Sequence, residues 1–170
     1  SGADLFLYDV TAGSATSLEN DIYQTVQPSW NGEGTWLAYL TVEAFGTGAG
    51  YSMNSLWAVH PGDSKPVKLD DLPSSSGEDL LGWGSENQLI LQSWNPMCGN
   101  NSLRRITVPG GKTEMIRKEC FTSAAVSDTG SILYGTGEHA WYVPPGQKKG
   151  SVIEDGNMYQ IKWLPTDAIF

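Results

Sequence analysis

The sequence is poor in charge, and basic residues are its scarcest charged group. Charged residues make up 17% of the 170 residues, and 10 Lys and Arg face 19 Asp and Glu, which gives a formal net charge of −9. A surface that binds duplex nucleic acid needs concentrated basic residues to neutralise the phosphates. The sequence therefore predicts no nucleic-acid partner.

Histidine and cysteine are also scarce, with two residues of each type. A zinc site needs several His or Cys ligands at short spacings, and His60 and His139 do not provide them. No Gly-x-Ser-x-Gly nucleophile motif occurs, and the glycine-rich residues 46–50 lack the Lys-Ser/Thr end of a phosphate-binding loop. We expect no metal and no cofactor. A non-enzymatic role is favoured, and an enzymatic one is left open.

Long apolar runs and helical periodicity are missing as well. No run of about 18 apolar residues is available to cross a bilayer, so we expect no membrane span. No apolar stripe with the 3.6-residue period predicts a helix. The sequence instead holds 20 Gly, 7 Trp and 7 Tyr, a composition typical of short strands joined by tight turns. An all-β protein is predicted.

One hairpin pattern recurs along the chain. Each copy has an apolar strand, a turn that contains Gly, and a second strand ending in an aliphatic residue, as expected for a β-hairpin. The copies begin at Leu5, Leu56, Leu103 and Ala140. Their spacings of 51, 47 and 37 residues bracket the roughly 40–50 residues of a four-stranded propeller blade. The longest insertion, expected in a loop, covers residues 42–53.

A second hairpin lies between these copies, and its turn usually starts with Trp. The turns are residues 30–34, 83–87, 127–130 and 163–167. The pattern resembles the TolB-type β-propeller repeat, which centres on a Trp-Ser-Pro-Asp-Gly-like turn, and residues 127–130 match that turn best. The resemblance extends over essentially the whole chain. It implies a propeller of four-stranded blades, a fold that hosts many unrelated functions.

The order of the strands predicts how the blades are divided. With strands named A to D from the centre of a blade outward, the chain reads C-D, three times A-B-C-D, and finally A-B. This amounts to about four blades in a single domain over residues 1–170. We expect residues 160–170 to pair with residues 4–18, because pairing removes the exposed strand edges. The alternatives are half of a larger ring, completed by a second copy or another chain, and an open fragment.

The two cysteines predict a disulfide. The C-D hairpin of the third copy is expected to turn at residues 110–111, which places Arg104 opposite Arg117. Cys98 and Cys120 then lie at the open end of the same hairpin, within reach of a disulfide bond. A disulfide favours an oxidising, extracytoplasmic compartment. The same loop carries a glycosylation sequon at residues 100–102, and its use stays undecided.

The predicted function is binding of a protein or a small ligand through loops on one face of the ring, since loops carry most binding residues. The equivalent residues Trp30, Trp83 and Trp163 are expected to pack between blades. The candidate ligand-binding residues are Trp94, Tyr51, His60 and His139. Two alternatives remain: a propeller domain of a glycan-processing or peptidase-associated enzyme, and a half-propeller that dimerises into one ring.

Overall fold

The computed structural model describes residues 5–18, 24–44, 51–63, 65–72, 77–85, 87–95, 98, 101–156 and 158–163. Its strands are β1 (Leu5–Asp9), β2 (Ser14–Leu18), β3 (Gln24–Trp30), β4 (Leu37–Ala44), β5 (Tyr51–Val59), β6 (Val67–Asp71), β7 (Gly77–Trp83), β8 (Gln88–Trp94), β9 (Ser102–Thr107), β10 (Lys112–Lys118), β11 (Ser123–Val126), β12 (Ile132–Gly135), β13 (His139–Val143) and β14 (Ser151–Asp155). Within those ranges no residue is helical, so no helix there is available to span a membrane.

The strands form three antiparallel four-stranded sheets and one two-stranded sheet. We call β3–β6, β7–β10 and β11–β14 blades 1, 2 and 3, and β1–β2 the leading hairpin. The predicted all-β fold is confirmed, with its order of C-D followed by three A-B-C-D units. The predicted final A-B pair lies largely outside the described residues, and residues 158–163 form no strand. The expected pairing of residues 160–170 with residues 4–18 therefore stays a prediction.

The core lies in the seams between successive sheets. Side chains alternate along a strand, so the middle strands of a blade contribute to the seams on both sides. In β4, Leu37 and Tyr39 pack towards the leading hairpin, whereas Ala38 and Leu40 pack towards blade 2. We number the seams in chain order: the first joins the leading hairpin to blade 1, the second joins blades 1 and 2, and the third joins blades 2 and 3.

Two details of the predicted strands are wrong. Residues 42–44 and 51–53 of the expected loop extend β4 and β5, because Val42 pairs with Met53 and the pairing continues to the end of β4, and residues 45–50 lie outside the described residues. In the third C-D hairpin Arg104 faces Met115, not Arg117. The turn is centred earlier than expected, since Lys112 already pairs with Thr107, and a bulge follows Met115.

The predicted disulfide is confirmed. Cys98 and Cys120 are bonded, with their Cα atoms 4.8 Å apart and 22 residues apart in sequence. Buried Asn101 supports the same loop: its Oδ1 accepts a hydrogen bond from the Asn95 amide at 2.7 Å, and its Nδ2 donates to the Phe121 carbonyl at 3.3 Å. The bond thus ties the loop between β8 and β9 to the connection from blade 2 to blade 3.

Candidate functional site

The turns between A and B strands lie at one end of the three blades and are fixed by short polar side chains. In blade 1 the Asn31 carboxamide oxygen accepts hydrogen bonds from the amides of Thr35 and Trp36, at 2.8 and 2.9 Å. The Asn31 amide nitrogen donates to Asn87 Oδ1 at 2.8 Å, which links the turn to blade 2. In blade 3 Ser127 takes the role of Asn31, since its hydroxyl accepts from the Ser131 amide at 3.0 Å.

These turns surround a recess of about 410 Å³ on that face. Its lining consists of residues 29–33 from blade 1, residues 81–85 and 87 from blade 2, and residues 126–128 from blade 3. Among the described residues, the lining holds two exposed carboxylates, Glu33 and Asp128, and no Lys, Arg or His. The recess is therefore lined by negative charge and by hydrogen-bonding groups.

Two of the three equivalent tryptophans, Trp30 and Trp83, are among the lining residues, and Trp83 and Trp163 make the same contact. The Trp83 indole donates from Nε1 to the Ser29 carbonyl at 3.1 Å, and Trp163 donates to the Ala125 carbonyl at 3.2 Å. Trp83 is 6% exposed, in agreement with the predicted packing between blades. Trp30 occupies the equivalent position in blade 1 but is 47% exposed, so the expected burial is wrong for this residue.

The four residues proposed from sequence as ligand contacts are not brought together. Trp94 ends β8, Tyr51 begins β5 and His139 begins β13, which places all three at the end of the blades opposite the recess. Trp94 is 43% exposed. The Tyr51 side chain lies outside the described residues. His60 follows β5 and therefore lies at the recess end, but it is not among the residues that line the recess.

The two histidines have local partners. The His60 ring accepts a hydrogen bond from the Gly62 amide at 3.2 Å and meets Trp36 edge-on, with ring centroids 5.6 Å apart. His139 Nδ1 lies 2.9 Å from a carboxylate oxygen of Asp155. In the part of the chain that the structure describes, no three His, Cys, Asp or Glu side chains are grouped so that they could hold a metal ion.

Sequence reasoning missed a buried ionic network in the second seam. Arg104 donates to Asp70 at 2.9 Å and to Glu78 at 3.0 Å, and Ser93 donates to the same Glu78 oxygen at 2.8 Å. The Glu78 side chain is fully buried, and the Arg104 side chain is 13% exposed. The available signal was the alignment of the repeats, in which Arg104 stands where other copies carry Trp57 and Trp141.

Comparison with known proteins places the fold. No protein-family model matches the chain, and no curated protein matches it. Similar solved structures include a nidogen/laminin complex (11% identity, TM-score 0.59), a prolyl endopeptidase (11% identity, TM-score 0.61) and TolB from Acinetobacter baumannii (12% identity, TM-score 0.50). The fold is a β-propeller. At these identities the likeness concerns fold alone.

The likeness extends over most of this chain but only part of each similar structure. The matches cover 94%, 91% and 88% of this chain, against 59%, 25% and 37% of the nidogen/laminin, endopeptidase and TolB chains. The chain thus spans less than two thirds of the length of each. TolB is one propeller among several in this set, so the similar structures support the propeller fold without singling out the TolB-type repeat.

Proposed function

We propose that this chain is a non-enzymatic, extracytoplasmic propeller module that binds a protein or a small ligand through the face formed by the A–B turns. The observation that carries the proposal is the recess, to which all three blades contribute lining residues. Concave sites with a few convergent polar groups are the usual form of ligand sites. The TolB-type resemblance of the repeats supports the same class of protein.

The chemistry of the recess favours a cationic group. Glu33 and Asp128 come from turns in different blades, and the described part of the lining has no basic residue to neutralise them. The chain as a whole carries a formal net charge of −9, which attracts cationic partners over longer distances. A Lys or Arg side chain of a partner protein, or a small organic cation, would complement these carboxylates and donate to the turn carbonyls.

Two further observations support the location and the kind of partner. A disulfide joins Cys98 and Cys120, and disulfides persist mainly in oxidising compartments. One of the structures similar to this chain is a complex of nidogen with laminin, which offers a precedent for a protein partner. We propose the same class of partner for this chain.

The proposal is tested with small probes of opposite charge. Acetyl-arginine methylamide and acetyl-glutamate methylamide are titrated into ¹⁵N-labelled protein, and amide shifts are followed by NMR. We expect the arginine probe to shift the amides of residues 31–34, 84–85 and 127–130, and the glutamate probe to leave them in place, because only the cation complements the two carboxylates.

Two variants locate the response. Glu33→Gln with Asp128→Asn removes the charge of the recess and should abolish the shifts. Glu138→Gln removes a carboxylate that is 87% exposed at the other end of blade 3 and should leave them unchanged. Equal responses to both probes, or a response that survives the double substitution, would refute binding at this recess.

A further inference from the structure

Trp30 is the exception among the three equivalent A-strand tryptophans. The indoles of Trp83 and Trp163 each donate a hydrogen bond to a backbone carbonyl of the blade before them in the chain, at 3.1 and 3.2 Å. The Trp30 indole has no hydrogen-bond or ring partner among the described residues, and its side chain is 47% exposed, against 6% for Trp83. Because burial of an indole is favourable, a ring left exposed in the lining of a recess is available to a ligand.

The turn that follows this tryptophan leaves space for such a ligand. A Cβ placed at Gly32 or at Gly34 meets nothing within 4 Å, so the turn that carries Glu33 is open. The turns of blades 2 and 3 touch each other instead, since a Cβ at Gly84 would lie 3.0 Å from the Cα of Gly130. Blades 2 and 3 thus meet backbone to backbone at their turns, whereas the turn of blade 1 is accessible.

Two carboxylates share the recess with Trp30. Glu33 belongs to the turn of blade 1, and Asp128 belongs to the turn of blade 3. Both side chains are exposed, and neither has an ion-pair or hydrogen-bond partner among the described residues. A ligand that fills the recess therefore meets an aromatic ring together with two acceptor groups that come from different blades.

A guanidinium matches this combination better than other organic cations. It is planar and weakly hydrated, it stacks on aromatic rings, and its N–H donors form a fork that fits carboxylates. An ammonium is a strongly hydrated point charge, and its pairing with exposed carboxylates contributes little binding energy. A quaternary ammonium cannot donate to the carboxylates and is usually held by a cage of aromatic rings, whereas Trp30 is the one exposed aromatic side chain in the described part of the lining.

We propose that the recess is a guanidinium site that selects arginine over lysine, with Trp30 as its specificity-determining residue. The guanidinium plane lies against the Trp30 ring, and its N–H groups donate to the Glu33 and Asp128 carboxylates. The inference rests on the proposed function, because it takes the recess as the binding site. It goes beyond that function, since two carboxylates alone attract any cation. The partner is then a protein that presents an arginine side chain to this face.

Selectivity among probes of equal charge tests the proposal. Acetyl-arginine methylamide, acetyl-lysine methylamide and the trimethylated form of the lysine probe are titrated separately into ¹⁵N-labelled protein. Dissociation constants are taken from the amide shifts of residues 31–34 and 127–130. We expect arginine to bind about tenfold more tightly than either lysine probe, which corresponds to one cation–π contact in a partly desolvated site.

Two NMR signals report the stacking directly. The indole N–H resonance of Trp30, assigned by its loss in Trp30→Leu, should shift when the arginine probe is added. The Cδ protons of the bound arginine should move upfield, because the ring current of an indole shields protons that lie over its face. Neither signal should respond in the same way to the lysine probe.

Three variants assign the selectivity to the ring. Trp30→Leu should lower the arginine affinity about tenfold and leave the lysine affinity unchanged, whereas a general disruption of the recess would weaken both. Trp30→Phe should keep part of the preference, because a phenyl ring also offers a face to the cation. Trp94→Leu is the matched control, since Trp94 is 43% exposed at the opposite end of the blades, and it should keep the full preference.

The outcomes distinguish this proposal from the one on which it rests. Equal affinities of the wild-type protein for arginine and lysine, or a preference for the trimethylated probe, would overturn the guanidinium site and leave the cation-binding recess in place. A preference for arginine that survives Trp30→Leu would overturn it as well, because the ring would not be the cause. No binding of any of the three probes would refute the recess itself. The wild-type measurements do not depend on the folding of any variant.

Discussion

Equivalent positions carry different chemistry in the first and second seams. In the first seam Leu18 of β2 and Trp57 of β5 belong to one apolar cluster. In the second seam the same two positions hold Asp70 and Arg104, which form an ion pair 2.9 Å long. The strand registers establish the equivalence, because Leu18 and Asp70 each pair with the first residue of their repeat.

The third seam uses yet another pair at these positions. Arg117 takes the D-strand position, and its guanidinium lies 5.0 Å from the centroid of the Trp141 ring and 6.0 Å from that of Tyr134. Arg117 also donates to the Tyr134 hydroxyl at 2.8 Å and to Glu119 at 2.9 Å. A seam therefore requires two complementary side chains, not a given residue type. The seams are expected to differ in how much stability a substitution costs, because removal of one side chain leaves a buried charge behind in the second seam but not in the third.

The largest expected loss of stability comes from a substitution in the second seam. Arg104→Ala leaves the fully buried Glu78 carboxylate without its cation, and loss of one partner of a buried pair costs about 3–5 kcal/mol. Arg117→Ala should cost about 1–2 kcal/mol, because its aromatic partners are neutral and its own side chain is partly exposed. Urea unfolding of both variants measures the difference.

A second substitution tests the cause. Glu78→Gln in the Arg104→Ala background removes the stranded charge and should recover part of the lost free energy of unfolding. Equal losses for Arg104→Ala and Arg117→Ala would show that the ionic seam is no more sensitive than the cation–π seam.

The next largest expected effect is a loss of stability at high pH, which arises in the third seam. Burial raises the pKa of the Tyr134 hydroxyl from 10.0 to about 12. Because the folded-state pKa is the higher one, the unfolded chain ionises first as the pH rises above 10. The contribution of Tyr134 to the free energy of unfolding should therefore be constant below pH 10 and fall by about 2–3 kcal/mol as the pH rises from 10 to 12, at about 1.4 kcal/mol per unit.

Tyr134→Phe isolates this contribution. The variant lacks the ionising hydroxyl, so its stability between pH 10 and pH 12 should fall less steeply than that of the wild type. Tyr142→Phe is the control, since Tyr142 is only half-buried in the neighbouring strand β13. Parallel pH profiles for Tyr134→Phe and the wild type would refute the assignment.

The limits of sequence reasoning follow from what repeats do and do not encode. Strand order and the disulfide were predictable, because period-2 apolar runs and Gly turns fix the hairpins locally. The burial of Glu78 was not, since it depends on Arg104 reaching across a seam between strands far apart in sequence. The exposure of Trp30 was missed because the repeat predicts that equivalent positions pack alike, whereas Trp30 is 47% exposed and Trp83 is 6% exposed.

The recess was only partly accessible to the same reasoning. Variable loops on the ring faces predicted binding at a face, and the turn motifs marked Asn31, Ser127 and Asp128 as turn residues. The convergence of three turns on one recess depends on how the blades are rotated about the ring axis, which no local pattern specifies. Trp94, Tyr51 and His139 were chosen as isolated exposed or polar residues, and the fold distributes them over three blades.

The smallest expected losses of stability come from substitutions of equivalent glycines in the turns of blades 1 and 3. Gly34 and Gly130 are equivalent, and each donates its amide to the carbonyl three residues earlier, with φ of 68° and 84°. A Cβ at Gly34 meets nothing within 4 Å, whereas one at Gly130 lies 2.9 Å from the Cα of Gly84 across the third seam. Gly34→Ala should thus cost about 1 kcal/mol for backbone strain alone, and Gly130→Ala about 2 kcal/mol. Gly32→Ala, with open space and no positive φ, should change the melting temperature least. Equal losses of unfolding free energy for Gly34→Ala and Gly130→Ala would contradict this expectation. They would show that the close contact between Gly130 and Gly84 does not restrict a side chain at this turn of the third seam.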